Sequence, residues 1–411
     1  MSAIRTSDPD VAAIIDSDID RQSTVRKPER LLSIDLLRGL TIAFMILVND
    51  QTGPAPFSQL VHASWNGFTA TDLVFPTFVL LVGLSTVLST AARLARGVSR
   101  GELFRHTLRR ALLLFLFGFI VNNFPFFHMT TARYYGVLPR IAICYFVVAT
   151  LYLLSSGWKD KVVLAVLCLV GYWALMRFVP VPGFGVPTHA IPINDHDANL
   201  TAWIDRQIFT APHLYEHTRD PEGLLSTLPA IATALFGLLA GMWLRTRHSN
   251  TRKASMLAAA GTLLLAAGLL WNVSFPINKK LWTSSFTLFA GGLSLLLLAA
   301  SIYIVDERRL GLSKINNKDP ANFSSHPIVY KILLVFGTNA ILAYMISELG
   351  DNLMGSIHTA SGMTLKSATF AAIHRAVPPT DWASLVYSVA CVSLCWLTVL
   401  PFYRKRIFLR T

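Results

Sequence analysis

The sequence predicts an all-α integral membrane protein, a bundle of about ten transmembrane helices with both termini cytoplasmic. Three observations predict it. Of 411 residues 53% are hydrophobic and 14% charged, against roughly 25% charged in soluble domains. The apolar residues gather into runs of about 20, the length that crosses a hydrocarbon core. The Lys and Arg residues fall mostly on alternate connectors, the bias that sets topology.

Residues 1–30 are polar, carry Asp8, Asp10, Asp16, Asp18 and Asp20 and lack the apolar core of a leader, which predicts a disordered cytoplasmic tail. Spans are expected near 31–50, 71–92, 107–123, 137–155, 161–179, 225–244, 254–272, 283–305, 330–350 and 383–403, and residues 404–411 form a basic cytoplasmic tail. With the N-terminus inside, 26 of the 36 Lys and Arg lie on cytoplasmic segments, seven lie outside, and Arg38, Arg140 and Arg177 lie within or at the ends of spans. That split satisfies the positive-inside rule with every span in place. It turns the net charge of +13 into a statement about topology, with no nucleic acid needed as a partner. The polar start and short tail are expected of a bacterial inner-membrane protein, with His62 on the periplasmic side.

The outward loop 180–224 is long and rich in Pro and aromatic residues, so it is expected to form a partly ordered cover. Within 351–382, SATFAAIH is too short to span and is expected at the interface or re-entrant. Gly237, Gly241, Gly291 and Gly292 lie in spans, where small residues allow close helix contact. Cys144, Cys168, Cys391 and Cys395 all fall in apolar segments as small buried hydrophobes, with no disulfide framework. His213 and His217 share i, i+4 spacing but have no further clear ligand, so no metal is expected.

Ionisable groups inside a membrane are costly, roughly 2.5–3.5 kcal/mol for an unpaired charge on insertion scales. Asp35 and Arg38 stand three residues apart on one helix face and can pair; they either anchor the helix end or receive a cytoplasmic substrate. Lys279 and Lys280 stand on the outer side against the charge rule, where they either snorkel or meet an anionic group.

The polar connector between the first two spans concentrates the chemistry. It holds Asn49, Asp50, His62, Trp65, Asn66 and Asp72. An imidazole titrates near neutrality and can take and return a proton. An acid within reach, Asp72, would fix its tautomer and raise its basicity, unless Asp72 or Thr71 merely caps the second helix. Asn49 or Asn66 can donate an amide N–H to an oxyanion. Trp65 and Trp282 can stack on a sugar or an acyl carrier, or serve as ordinary interfacial anchors.

The runs SIDLLRG, VND, HASWNG, TATDLVFPTFVLLVG, GVLPRIA, DPEGLLSTLPAI, INKKLWTSSF and FGTNAILAY, in order over residues 30–403, resemble the heparan-alpha-glucosaminide N-acetyltransferase family of transmembrane acyltransferases. The resemblance implies one acyltransferase domain over 31–403, including the loop 180–224. It implies acetyl transfer from cytoplasmic acetyl-CoA to the amino group of a glucosamine-type sugar, or an oligosaccharide bearing one, on the far side of the bilayer. It places the active-site histidine on His62, as base or acetyl carrier, and its partner asparagine on Asn49. Further matching positions are Asp35, Arg38, Asp72, Arg140, Asp220, Glu222, Asn278, Lys279, Lys280, Trp282 and Asn339. A homodimer is compatible with this reading and stays open. The competing class is a transporter of amino sugars or small polar solutes, against which no inverted repeat or matched pair of broken helices is visible.

Overall fold

The computed structural model describes residues 31–308 and 327–408. The expected tail 1–30, the connector 309–326 and residues 409–411 lie outside the described residues, together with the basic charges assigned to them. The described residues form α1 (Leu32–Asn49), α2 (Val74–Leu94), α3 (Arg100–Asn123), α4 (Val137–Leu154), α5 (Lys159–Phe178), α6 (Leu200–Phe209), α7 (Thr227–Leu244), α8 (Asn250–Trp271), α9 (Ser284–Ser301), α10 (Ile328–Thr338), α11 (Ala340–Ser356), α12 (Leu365–Ala376) and α13 (Thr380–Arg404). Only isolated bridges, Val181 with Gly185 and His358 with Thr364, break the helical pattern among them. The fold class is all-α, as expected.

Among the described residues eight helices are long and apolar enough to cross a membrane, and the bent pair α10 and α11 makes a ninth if counted as one span. The structure departs from ten uniform spans in two places. The segment expected at 107–123 is the second part of α3, whose first half carries Arg100, Glu102, Arg105, Arg109 and Arg110, too many charges for a plain hydrocarbon-embedded helix. The segment expected at 330–350 is not continuous. It breaks at Asn339, whose backbone leaves the helical region (φ −122°, ψ 38°), and α10 and α11 meet at 83°. Gly337 and Asn339 bracket that bend with residue types common at helix ends.

Local sequence explains where five of the helices start. Ser99, Asn199, Ser249, Thr283 and Thr364 each precede a helix and accept a hydrogen bond from the backbone N–H three residues on, satisfying one of the orphan donors of a first turn. Helix α1 is capped from a distance: Leu32 N donates to Asp306 Oδ1 at 3.1 Å.

The core is ordered by burial. In α7, 14 of 18 residues are buried, so it is the central post, whereas α8 buries four of 22 and lies at the periphery. Glycine sets the closest seams, as expected for Gly237, Gly241 and Gly292. A Cβ on Gly237 would lie 1.8 Å from Leu80 O, and one on Gly83 would lie 2.0 Å from Ala234 O, so α2 and α7 touch backbone to backbone. Gly39 against Leu333 O and Gly337 against Asp35 O do the same for α1 and α10, and Gly292 against Gly261 for α8 and α9. The four cysteines are free thiols. The loop 180–224 contains α6 and covers one end of the bundle through bonds described below. The segment expected at the interface contains α12, 12 residues long and too short to cross.

Gly237→Val forces a branched side chain into a backbone seam. It is expected to destabilise the protein by about 1–3 kcal/mol, read as a lower thermal midpoint in detergent. Gly171→Val, at a position with nothing within 4 Å, should leave that midpoint unchanged.

Candidate active site

The connector between α1 and α2 folds back on itself before it enters the second helix. Thr69 Oγ1 donates to Val61 O at 2.7 Å, Thr71 Oγ1 to Gln59 O at 3.1 Å, and Ala70 N to Gln59 Oε1 at 3.1 Å. A short 3-10 turn, Ala70–Leu73, leads into α2, and Thr69 with Asp72 forms its capping box. Asp72 is therefore the cap that the sequence allowed for. It is also more than a cap.

The fold-back brings His62 onto the same carboxylate. His62 Nδ1 lies 2.7 Å from Asp72 Oδ1, while Asp72 Oδ2 accepts from Ala63 N (3.2 Å), Thr69 N (3.0 Å) and Thr69 Oγ1 (3.1 Å). Asp72 is 1% exposed, so the acid is held rigidly from four directions. With the acid at Nδ1, the ring proton sits there and Nε2 keeps a lone pair. The imidazole is 43% exposed, leaving that lone pair accessible. Partial burial and then the nearby Lys279 push the His62 pKa below the usual histidine value, against the opposing pull of Asp72. The imidazole is therefore neutral at neutral pH, ready to accept a proton or attack a carbonyl.

The turn before α9 and the end of the 180–224 loop complete the surroundings. Lys279 Nζ is 3.4 Å from His62 Nε2. Arg133 grips Asp220 with Nε (2.8 Å) and Nη2 (2.7 Å), and its Nη2 also reaches Glu222 at 2.6 Å. Burial of Glu222 opposes its ionisation, but Arg133 and then Lys279 outweigh it and hold its pKa below the ordinary range. Behind this pair, Arg140 is fully buried, donates through Nη2 to Gly223 O at 3.0 Å and to Ser226 Oγ, and lies 5.2 Å from the centre of the Trp282 ring. Asp205 accepts from Leu224 N at 2.9 Å, and its burial pushes its pKa up to about 7. A Cβ on Gly223 would lie 1.9 Å from Asp205 Oδ2, so the DPEG turn needs its glycine.

Five expected binding residues are engaged in internal contacts, and three of them, Trp65, Asn66 and Lys280, join the cover to the bundle. Trp65 donates to Asn194 O at 2.8 Å, His196 stacks on its ring with centroids 3.8 Å apart, and the Arg219 guanidinium lies 5.1 Å from its centre. Asn66 Oδ1 accepts from Asn194 and, at 3.2 Å, from Asn278, which is itself fully buried. Lys280 pairs with Glu216 at 2.9 Å. Trp282 is 0% exposed and packs edge-on against Phe75 and Phe286. Of the two readings open for these rings, ligand stacking or anchoring, the contacts favour the second: the Trp65 ring is stacked on His196 and the Trp282 ring lies in the core. His213 is likewise engaged, donating through Nδ1 to Ala132 O at 2.6 Å.

Other expected residues lie apart from His62. Asn49 is exposed and donates to Glu348 Oε1 at 2.8 Å, and no hydrogen bond joins it to His62 among the described residues. Asp50 is buried beside Glu348, Asp351 and Lys366, and burial and then Asp351 raise its pKa to about 7. Asn339 is 2% exposed at the helix break, with neither amide atom hydrogen-bonded. Asp35 and Arg38 do pair, at 3.2 Å, and Arg38 also donates to Gly337 O (3.1 Å) and Ser85 Oγ (2.8 Å).

Arg38 opens onto a cavity of about 270 Å³ between α1, α2, α3, α4 and the α10–α11 break. Its wall follows α2 from Arg93 through Ser89, Ser85 and Leu81 to Phe78, and α3 adds His106 and Arg110. Fifteen residues separate Phe78 from Arg93, about 22 Å of helix. Sequence reasoning used Arg93 and Arg110 only to count charge and did not place them in a site. It also passed over Arg133 as a ligand of the DPEG acids. The signal was there: two acids two residues apart in one loop, Asp220 and Glu222, call for a cation, and Arg133 supplies it.

A family model described as "Heparan-alpha-glucosaminide N-acetyltransferase, catalytic" matches residues 30–257. The chain is 30% identical over 378 residues to the heparan-alpha-glucosaminide N-acetyltransferase of Homo sapiens, covering 79% of this chain and 54% of that one. It is 29% identical over 397 residues to that of Mus musculus, covering 84% and 57% respectively. The chain thus spans about half the length of the curated relatives it matches.

If His62 reacts through a neutral Nε2, acetyl transfer should be lost only as pH falls below the usual histidine pKa of about 6.5. The acid limb of kcat/KM against pH is the measurement. Asp72→Asn replaces an acceptor by an amide facing four donors, and is expected to lower kcat/KM by roughly 100-fold or more.

Proposed function

Since this chain belongs to the heparan-alpha-glucosaminide N-acetyltransferase family, we propose that it is a transmembrane acetyltransferase, moving acetyl from acetyl-CoA on the cytoplasmic side to the amino group of a glucosamine-type sugar on the periplasmic side. Residues 31–403 act as one acyltransferase domain in a bacterial inner membrane, and the Arg-rich end faces the cytoplasm by the positive-inside rule.

One observation carries the reading: the cavity walled by Arg38, Arg93 and Arg110 runs along α2 toward the end where His62 and Asp72 pair. Its chemistry suits the donor. Guanidinium groups meet phosphates, hydroxyls of Ser85 and Ser89 meet the amides of a pantetheine arm, and Leu81 and Phe78 suit its apolar end. Phe78 follows Asp72 by six residues, about 9 Å of helix, a gap that an extended arm would bridge.

At the far end the reaction needs a base and an open approach. The acceptor amine attacks the thioester carbonyl carbon, forming C–N; His62 Nε2 takes the amine proton; the carbonyl pair returns from oxygen and C–S breaks, releasing CoA thiolate. Asp72 stabilises the imidazolium that forms, as the acid of a triad does. Donor and acceptor approach from opposite ends, so both occupy the protein at once and no acetylated enzyme is required.

His62→Ala is expected to abolish acetyl-CoA-dependent acetylation of glucosamine while keeping a wild-type elution profile; full activity would refute the assignment. Without acceptor, labelled CoA should not exchange into acetyl-CoA, whereas exchange would show an acetylated His62. Arg93→Glu and Arg110→Glu should raise the KM for acetyl-CoA about 10-fold or more with little change in kcat.

A further inference from the structure

The sequence offers Lys279 as an anchor for phosphates or an anionic acceptor, but the structure puts it elsewhere. Most cations around it are neutralised: Lys280 by Glu216, Arg133 by Asp220 and Glu222, Arg219 by Asp197 and Glu216. Among the described residues no carboxylate comes within ion-pair distance of Lys279. Its contact is instead with His62 Nε2, at 3.4 Å.

That placement is built. Lys279 sits in a turn closed by Trp282 N on Lys279 O (3.1 Å) and by Leu281 N on Asn278 Oδ1 (2.9 Å). Trp282, at the end of the turn, has φ +50° and is clamped in the core between Arg140, Phe75 and Phe286. A strained backbone of this kind persists only where the surroundings enforce it. The turn therefore presents Nζ to the accessible nitrogen of His62 while only the flexible stem of the side chain remains free to shift.

We propose that Lys279 is a catalytic residue whose ammonium group holds the oxyanion during acetyl transfer at His62. In the resting protein Nζ donates to the Nε2 lone pair. When the acceptor amine takes that place and attacks the thioester, the carbonyl π pair moves onto oxygen beside Nζ, which donates to it. The pair then returns, C–S breaks, and Nζ is released with its proton. Of the amides expected for this task, Asn49 donates to Glu348 instead, and Asn66 is fixed through its Oδ1, which accepts from Asn194 and Asn278. Burial, with Arg140 and Lys280 adding to it, holds the Lys279 pKa below the usual lysine value, while Glu222 and Asp72 pull the other way and favour its charged form.

The inference rests on the transfer reading, and the test separates the two. Wild type, His62→Ala, Lys279→Met and Lys279→Arg are purified in detergent, and kcat and KM are measured with acetyl-CoA and glucosamine across pH. The groups facing His62 are Lys279, Asp72 and Glu222, so Lys279→Met moves the acid limb to higher pH whatever else it does. The decisive quantity is kcat on the plateau above that limb. Loss of an oxyanion donor lowers it about 100-fold or more with the KM for acetyl-CoA unchanged, and Lys279→Arg, which keeps a cationic donor, recovers part of the loss. A plateau within about threefold of wild type in Lys279→Met, with only the limb displaced, overturns the oxyanion role while His62-dependent turnover upholds the transfer reading. Turnover that survives in His62→Ala, or is absent in wild type, overturns the reading itself.

Discussion

The carboxylate of Asp72 is the point on which the site depends. One oxygen closes the turn that starts α2 and the other holds the imidazole of His62. On the proposed reading, folding and chemistry share a single buried acid, and the orientation of the His62 imidazole is as firm as the start of α2. The helix that Asp72 begins is also the one whose length carries the cavity.

Charge is arranged around that point in two ways. On the loops around the connector, acids and bases neutralise one another in a chain from Asp197 and Arg219 through Glu216 to Lys280, which ties the cover over HASWNG. In water-exposed settings such pairs contribute little; several linked together, partly buried and joined by the Trp65–His196 stack, fix the position of HASWNG. At the opposite end Arg38, Arg93 and Arg110 line a cavity, and among the described residues Arg38 alone of the three pairs with an acid, Asp35 on its own helix. The first arrangement builds a wall, and the second leaves positive charge for an anionic ligand.

Much of this was legible in the sequence. Apolar run length gave nearly every span, because length and composition alone decide whether a helix can cross. The pairings Asp35–Arg38 and His62–Asp72 were readable from helical spacing and from the short connector, and the glycine seams from small residues in apolar runs. The break at Asn339 was not readable, because FGTNAILAY is apolar enough to pass for one span and only the approach of Gly337 to the α1 backbone marks the bend. Trp65 and Trp282 stayed open between ligand contact and anchoring because an aromatic side chain reads alike in either setting; the structure stacks the first on His196 and buries the second. Arg133 and its two acids are more than 80 residues apart in the chain, and no local pattern joins them.

The account turns on whether the donor lies along α2 with its reactive end at His62. A structure of the protein with acetyl-CoA bound tests this directly. The account predicts phosphates against Arg93 and Arg110 and a thioester carbonyl carbon within about 4 Å of His62 Nε2, close to attack distance. A thioester held at the Arg-rich end, or a nucleotide bound outside the α2 cavity, would contradict it.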